Sequence, residues 1–303
     1  MNYKPINKTK AVTLFIGLLG LLVAGGAKAQ VPIENSVFWE IRGNGLTEPS
    51  YLFGTFHLMG SGYIDSLTNV LDKFSNSENV VGELLLDSAM TVRMIASAQL
   101  HDTTLDKLLD STLYHQTSSW LRELSGYDLR VFNSMNPMTI QILIMTMLQQ
   151  KLLPINQVRE MPMDMYFQVR AKKEGKRLLG LESFEVQVHA LFNQFTVQRQ
   201  AEMLADFVQH KSKAESELLS MNKYYRAGDL ARLEELLTTQ SYSREEAEIM
   251  LDNRNKNWME HLPDLLHDGP TFIAVGALHL AGENGLVTLF RNAGYTMLPV
   301  STK

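Results

Sequence analysis

The sequence predicts an α/β protein in which a mixed central sheet is flanked by helices. Short apolar segments bounded by turn residues lie near both ends of the chain, and helical patterns fill the region between them. The chain has 303 residues, of which 45% are hydrophobic and 20% charged. It is therefore large enough to bury a core and too polar for a protein with many membrane spans. We expect one sheet to which both ends of the chain contribute.

Charge and cysteine content exclude several classes of protein. Lys and Arg number 28 against 33 Asp and Glu, which gives a net charge of −5. Because this charge is mild and evenly spread, nucleic acid is not expected as a partner. Cysteine is absent, which excludes disulfides, thiolate zinc sites, a cysteine nucleophile and a cysteine-linked lipid anchor.

The N-terminal residues have the pattern of a signal peptide. Three lysines precede an apolar stretch over residues 11–25, and the small residues Ala27 and Ala29 follow it. An uncleaved membrane anchor is the alternative, but a run of about 15 apolar residues is short for a span that needs about 20. We expect residues 1–29 to be removed and residues 30–303 to be exported as one domain, periplasmic or extracellular, without membrane contact.

The first predicted element of the fold is a β-hairpin. Residues 36–42 alternate apolar and polar side chains, which is the period of a half-buried strand. Gly43, Asn44 and Gly45 favour a turn, and residues 50–53 resume the extended apolar pattern.

A helix and a buried strand come next. Apolar residues recur at helical spacing over residues 67–74, and either Asp65 or Ser66 is expected to cap this helix. Residues 79–82 are typical of a short buried strand.

A long helical region is predicted over residues 90–165, with breaks at Gly126, Pro137 and Pro154. We interpret residues 90–153 as a helical insertion that forms a subdomain or a lid. Seven of the 16 methionines of the chain lie between Met135 and Met165, inclusive. Methionine fills irregular gaps in cores and also lines surfaces that accept varied apolar partners, and we favour core filling.

The remainder of the chain returns to alternating strands and helices. The predicted elements are strands over residues 177–181, 271–275 and 296–300 and helices within 184–267 and over 283–292. Gly228 is expected to end one helix and Asp229 to cap the next.

Four polar residues share one context, because each follows a short apolar strand at or just beyond a glycine. They are His57, Glu83, Glu182 and His279. Ligands bind in α/β sheets beyond the carboxyl ends of the strands, where glycine lets the backbone approach them closely. Two imidazoles and two carboxylates at such an edge predict a nitrogen and oxygen metal site, or an acid–base site without a metal.

Each of these residues also has an ordinary structural interpretation. A single histidine after a strand is usually a turn residue, and a single glutamate is usually solvated. The motif Gly-x-x-His occurs twice, however, at Gly54 to His57 and at Gly276 to His279. Neither copy has the spacing of a zincin helix, so any metal ligands would be brought together by the fold.

The motifs themselves resemble those of a known family. Gly54-Thr55-Phe56-His57, Gly82-Glu83, the stretch around Glu182, Arg254-Asn255 and the run from Val275 to Leu286 are similar to the TraB/PrgY/GumN family, which includes the Tiki proteases. The resemblance covers residues 37–300. It implies a fold that is similar to the erythromycin-esterase and haem-binding ChaN groups, with a mixed sheet between helical layers.

The resemblance also implies an activity, namely metal-dependent hydrolysis of a peptide or protein substrate. His57, Glu83 and His279 match the residues that the Tiki branch needs, with manganese or cobalt as the favoured ion and zinc as an alternative. Glu182 is a weaker match for a further ligand. The second interpretation is a non-catalytic protein of the same fold that holds a peptide, haem or metal.

The sequence leaves the roles of individual site residues open. Glu83 is either the general base or a metal ligand. Arg254 either pairs with a carboxylate of the site and steadies an oxyanion, or forms a surface ion pair on a long helix, and the second interpretation is slightly favoured. Asp164 is expected to cap a helix rather than to bind a metal.

Overall fold

The computed structural model describes residues 35–87, 89–153, 161–240 and 243–303. The predicted signal peptide and the predicted break at Pro154 lie outside the described residues. Within them, no helix is both long and apolar enough to cross a bilayer.

The described residues contain one six-stranded sheet. Its strands are β1 Phe38–Gly43, β2 Ser50–Thr55, β3 Asn79–Leu84, β4 Arg177–Glu182, β5 Thr271–Gly276 and β6 Tyr295–Pro299. They lie in the order β4-β3-β5-β2-β1-β6. The neighbours β4, β3, β5 and β2 are parallel, and β1 is antiparallel to both β2 and β6. The predicted hairpin and the mixed α/β sheet are therefore confirmed.

Helices surround and connect these strands. Those that the structure describes are α1 Ser61–Ile64, α2 Thr68–Asn76, α3 Met90–Ser97, α4 Leu105–Leu108, α5 Ser111–Ser125, α6 Pro137–Leu152, α7 Met163–Lys173, α8 Phe184–Val188, α9 Val197–Gln209, α10 Lys211–Ala227, α11 Leu230–Gln240, α12 Arg244–Ala247, α13 Asn253–Met259, α14 Leu262–His267 and α15 Leu286–Asn292. Two π-helical turns, His189–Asn193 and Glu248–Asp252, extend α8 and lead from α12 into α13.

The register of the parallel strands brings their carboxyl ends to one edge of the sheet. Thr55 at the end of β2 pairs with Gly276 at the end of β5, and Glu182 at the end of β4 pairs with Leu84 of β3. The residues that directly follow these strands therefore emerge side by side.

Phe167 of α7 lies in the centre of the apolar core that packs against the sheet. This ring is fully buried, and its centroid lies 5.5 Å from that of Phe53, 5.4 Å from that of Phe74 and 5.0 Å from that of Phe272. One residue further along α7, Gln168 donates to the carbonyl oxygen of Leu84 at the end of β3 (2.8 Å). Helix α7 is thus fixed against the strand ends.

A second apolar cluster is built mainly by α5, α6, α9 and α10. It combines helices from the predicted insertion with helices that follow β4. Met138 and Met163 are buried, whereas Met165 is 37% exposed, so the methionine-rich stretch does not fill the core throughout. The interpretation of residues 90–153 as a lid or subdomain stays a prediction.

Two predicted helix starts are wrong. Helix α2 has Leu67 at its N-cap, without a side-chain cap. Asp65 and Ser66 instead close the preceding turn, where the Asp65 amide donates to the carbonyl oxygen of Ser61.

Helix α15 begins at Leu286 rather than at residue 283, because Gly282 adopts a positive φ and a turn precedes the helix. The cap at Asp229 is confirmed by a bond from the Arg232 amide.

We expect Phe167→Ala to lower the free energy of unfolding by about 3–5 kcal/mol, since it removes a large fully buried side chain at the junction of three rings. Urea denaturation measures this value. Val169→Ala on the same helix is the control, because that side chain is 49% exposed and its loss should change stability by only about 0.5 kcal/mol. Equal losses for the two variants would contradict the assignment of Phe167 to the centre of the core.

Candidate functional site

The four predicted strand-end residues meet at the carboxyl edge of the sheet. The best reference point is Gly276, at the end of β5. A Cβ atom added there would lie 3.3 Å from Oε1 of Glu83 and 3.6 Å from both Nε2 of His57 and Cδ2 of His279. The glycine therefore leaves open a small space that these three side chains surround.

Arg254 lies at the centre of the site. Its Nη2 donates to Oε2 of Glu83 (2.6 Å) and to Oε1 of Glu182 (2.6 Å), and its Nε donates to Oε2 of Glu182 (3.0 Å). Only 13% of its side chain is exposed. The favoured interpretation of Arg254 as a surface ion pair is therefore wrong, and the alternative pairing with carboxylates of the site is what the structure shows.

The guanidinium of Arg254 also reaches His279. Its Nη1 lies 3.0 Å from Nε2 of the ring. The other ring nitrogen, Nδ1, lies 2.7 Å from Oδ1 of Asn255. The Asn255 amide is oriented by its Nδ2, which donates to the carbonyl oxygens of His279 (3.1 Å) and Asn284 (2.9 Å). The buried imidazole is thus held at both nitrogens.

The helix that carries Arg254 and Asn255 enters through a π-helical turn, Glu248–Asp252. Such turns are rare and occur frequently at functional sites. Arg254 Nη1 also lies 3.3 Å from the carbonyl oxygen of Met250 within this turn. The wider turn leads directly into the two consecutive residues that contact the site.

His57 differs from His279 in its exposure. Its side chain is 59% exposed, and its Nδ1 lies 3.4 Å from Oδ1 of Asp164. That distance fits an ion pair rather than a short hydrogen bond. The prediction that Asp164 caps α7 is wrong, because Pro162 holds the N-cap position. Asp164 points instead at His57.

The charges of the site shift the pKa values of its members. Burial opposes the ionisation of Glu83, but the positive charges around it and the Gly276 amide, which donates to Oε1 (2.7 Å), lower its pKa to about 2. Burial raises the pKa of Glu182 despite its contact with Arg254. One guanidinium therefore faces two buried carboxylates.

The two histidines shift in opposite directions. Burial, together with the positive charge of Arg254, lowers the pKa of His279 to about 3, so this ring is neutral. Desolvation also opposes protonation of His57, but the contact with Asp164 prevails and raises its pKa. Solvent screens part of this attraction because the His57 side chain is largely exposed.

The donor set fits a divalent ion in kind. In both imidazoles Nδ1 lies against an oxygen atom, as is usual for metal-binding histidines. Nε2 of His57 lies beside Gly276, and Nε2 of His279 lies 3.9 Å from Oε1 of Glu83. Oε1 of Glu83 adds a carboxylate oxygen beside them. As arranged, however, no three His, Asp or Glu side chains of the described ranges are grouped to hold an ion. Arg254 lies among the donors and contacts His279 and both glutamates.

Several neighbours of the site were not assigned to it from the sequence. Besides Asp164 and Asn255, they include Trp258, whose ring centroid lies 4.4 Å from that of His279 and whose Nε1 lies 3.3 Å from Oε2 of Glu182. The available signal was spacing, since Asn255 directly follows Arg254 and Trp258 comes one helical turn later.

We expect Arg254→Met to destabilise the fold by about 3–5 kcal/mol, because it leaves two buried carboxylates without a positive partner. Urea denaturation at neutral pH measures the loss. The control is Arg177→Met, which breaks a half-exposed pair with Asp268 and should cost about 0–1 kcal/mol. A loss for Arg254→Met no larger than that of the control would contradict the buried role of this pair.

Comparison with known proteins agrees with this architecture. The TraB/PrgY/gumN family matches residues 37–299. Metalloprotease TIKI1 of Xenopus tropicalis is 24% identical over 87% of this chain and 61% of that protein, and Metalloprotease TIKI2 of Danio rerio is 24% identical over 86% and 60%. The chain thus spans about three fifths of the length of these relatives. No solved structure matches it. On the extent of the family match, the chain belongs to the TraB/PrgY/gumN family.

Proposed function

We propose that the chain is an exported, metal-dependent hydrolase that cleaves peptide bonds at the site around Gly276. The observation that carries this proposal is the convergence of His57, Glu83 and His279 on one small space at the carboxyl edge of the sheet. The metalloprotease names of the two relatives support it. The predicted signal peptide supports export.

The residues that would hold the ion are His57, Glu83 and His279, with Glu182 as a further carboxylate behind them. Nitrogen and carboxylate donors suit manganese or cobalt, the ions favoured by the family resemblance. When bound, such an ion polarises a carbonyl group and lowers the pKa of water towards neutrality.

The low pKa of Glu83 bears on its role. A carboxylate with a pKa of about 2 is ionised at neutral pH and accepts protons poorly. Its two oxygens are also held by Gly276 and Arg254. These contacts favour the role of metal ligand for Glu83. The role of general base is less well supported.

Two other side chains are placed to act on a substrate. His57 is the exposed member of the site, so a substrate would meet it first. Asp164 orients its ring. Arg254 is a planar donor with a small exposed fraction, and such a group can stabilise negative charge that develops on a carbonyl oxygen.

Apolar surface adjoins the polar cluster, which is consistent with a peptide substrate. Leu85 and Leu86 follow Glu83 in the chain and are 43% and 36% exposed. Val186 of α8, four residues after Glu182, is 45% exposed. These side chains are available to apolar side chains of a bound peptide.

We expect the purified protein to cleave members of a mixed synthetic peptide library when Mn²⁺ or Co²⁺ is present and to lose this activity in EDTA. Glu83→Gln should reduce the rate by about 10- to 100-fold, because it removes the charge of a proposed ligand. Mass spectrometry of the products measures both effects. Glu185→Gln, a change of an exposed carboxylate on α8, is the control and should retain the rate. Cleavage at the same rate with EDTA and in Glu83→Gln would refute the proposal. Binding of a peptide or an ion without cleavage would favour the alternative, a non-catalytic binding protein of the same fold.

We further expect His57→Ala and His279→Ala each to weaken Mn²⁺ binding by about tenfold or more, since each removes an Nε2 donor. Isothermal titration calorimetry measures the affinities. His115→Ala is the matched control, because this histidine is exposed on α5. Equal binding by all three variants would remove the two histidines from the proposed ligand set.

A further inference from the structure

The hydrogen bonds of Asn255 determine which nitrogen of His279 carries the proton. Because Nδ2 of Asn255 donates to two backbone carbonyl oxygens, its Oδ1 is the atom that faces Nδ1 of the ring. An amide oxygen only accepts hydrogen bonds, so Nδ1 of His279 must carry the hydrogen. In the neutral imidazole, Nε2 is then the atom with the lone pair.

Arg254 already uses this lone pair. Its Nη1 lies 3.0 Å from Nε2 of His279 and can only donate, since a guanidinium has no acceptor atom. An imidazole nitrogen has a single lone pair, directed in the plane of the ring. It cannot accept a hydrogen bond from Arg254 and coordinate an ion at the same time.

We infer that Arg254 and a divalent ion compete for Nε2 of His279, so that the guanidinium must leave the ring before the ion binds there. This inference rests on the proposed function, because it concerns the same site and the same ion. It assigns Arg254 a role as a positioning residue that sets the affinity of the site.

The contacts of Arg254 permit such a movement without expulsion from the pocket. The guanidinium holds Glu182 through both Nε and Nη2, independently of its contact with His279. Its Nη2 also lies 3.4 Å from Oε1 of Gln187, on the side of α8. The side chain can therefore keep one hydrogen bond to Glu182 while it turns away from Nε2 of His279 and Oε2 of Glu83.

The charge of the pocket favours the exchange. Glu83 and Glu182 face one guanidinium. The hydrogen bonds of His279 leave its ring with one hydrogen and one lone pair, so this buried group has one more negative than positive charge. A divalent cation that takes over Glu83 would compensate the carboxylate that Arg254 releases.

The experiment measures Mn²⁺ affinity by isothermal titration calorimetry for the purified full-length protein, Arg254→Met, His279→Ala and the double variant. Removing a charged donor that competes for the lone pair should tighten binding by about 10- to 100-fold in Arg254→Met. The same substitution should give a clearly smaller gain in the His279→Ala background, because the contested atom is gone. Arg177→Met, which removes an exposed arginine paired with Asp268, is the control and should leave the affinity unchanged.

The outcomes separate this inference from the proposed function. If Arg254→Met and the unmodified protein bind Mn²⁺ equally while His279→Ala weakens binding, the competition is refuted and the metal site stands. If no form binds the ion, both are refuted.

A measurement on the unmodified protein keeps the test valid if Arg254→Met does not fold. The guanidinium N–H that donates to His279 should give a protected NMR signal that disappears on saturation with diamagnetic Zn²⁺. A signal that persists at saturation would overturn the competition.

Discussion

A single guanidinium holds together the carboxyl ends of three strands. Arg254 binds Glu83 near the end of β3, Glu182 at the end of β4 and His279 beyond β5. It reaches them from a helix that follows a π-helical turn. These contacts of Arg254 affect both the stability of the fold and the geometry of the site. Without its positive charge two buried carboxylates repel each other, and with it the same carboxylates and imidazole are kept at one place.

The parallel part of the sheet makes this convergence possible. Strands β4, β3, β5 and β2 run in one direction, so the residues after them emerge at the same edge. The space between those residues is preserved by Gly276, where any side chain would meet Glu83 and both histidines. The two Gly-x-x-His motifs, which are distant in the chain, thereby contribute to a single site.

The sequence allowed the sheet and the strand-end residues to be predicted, because short apolar segments that end at a glycine are local patterns. It did not distinguish the two Gly-x-x-His motifs, of which one ends in an exposed ring and the other in a buried one. That difference depends on what packs above each strand. The burial of Arg254 and the orientation of Asp164 towards His57 depend likewise on helix packing, which local spacing does not encode.

The most direct test is a crystal structure of the protein grown with Mn²⁺, in which anomalous scattering locates the ion. We predict an ion beside Gly276, coordinated by Nε2 of His57, Nε2 of His279 and a carboxylate oxygen of Glu83, with the guanidinium of Arg254 still bonded to Glu182 but withdrawn from the His279 ring. An ion bound elsewhere, or one bound to His279 while Arg254 keeps its hydrogen bond to Nε2, would contradict this prediction.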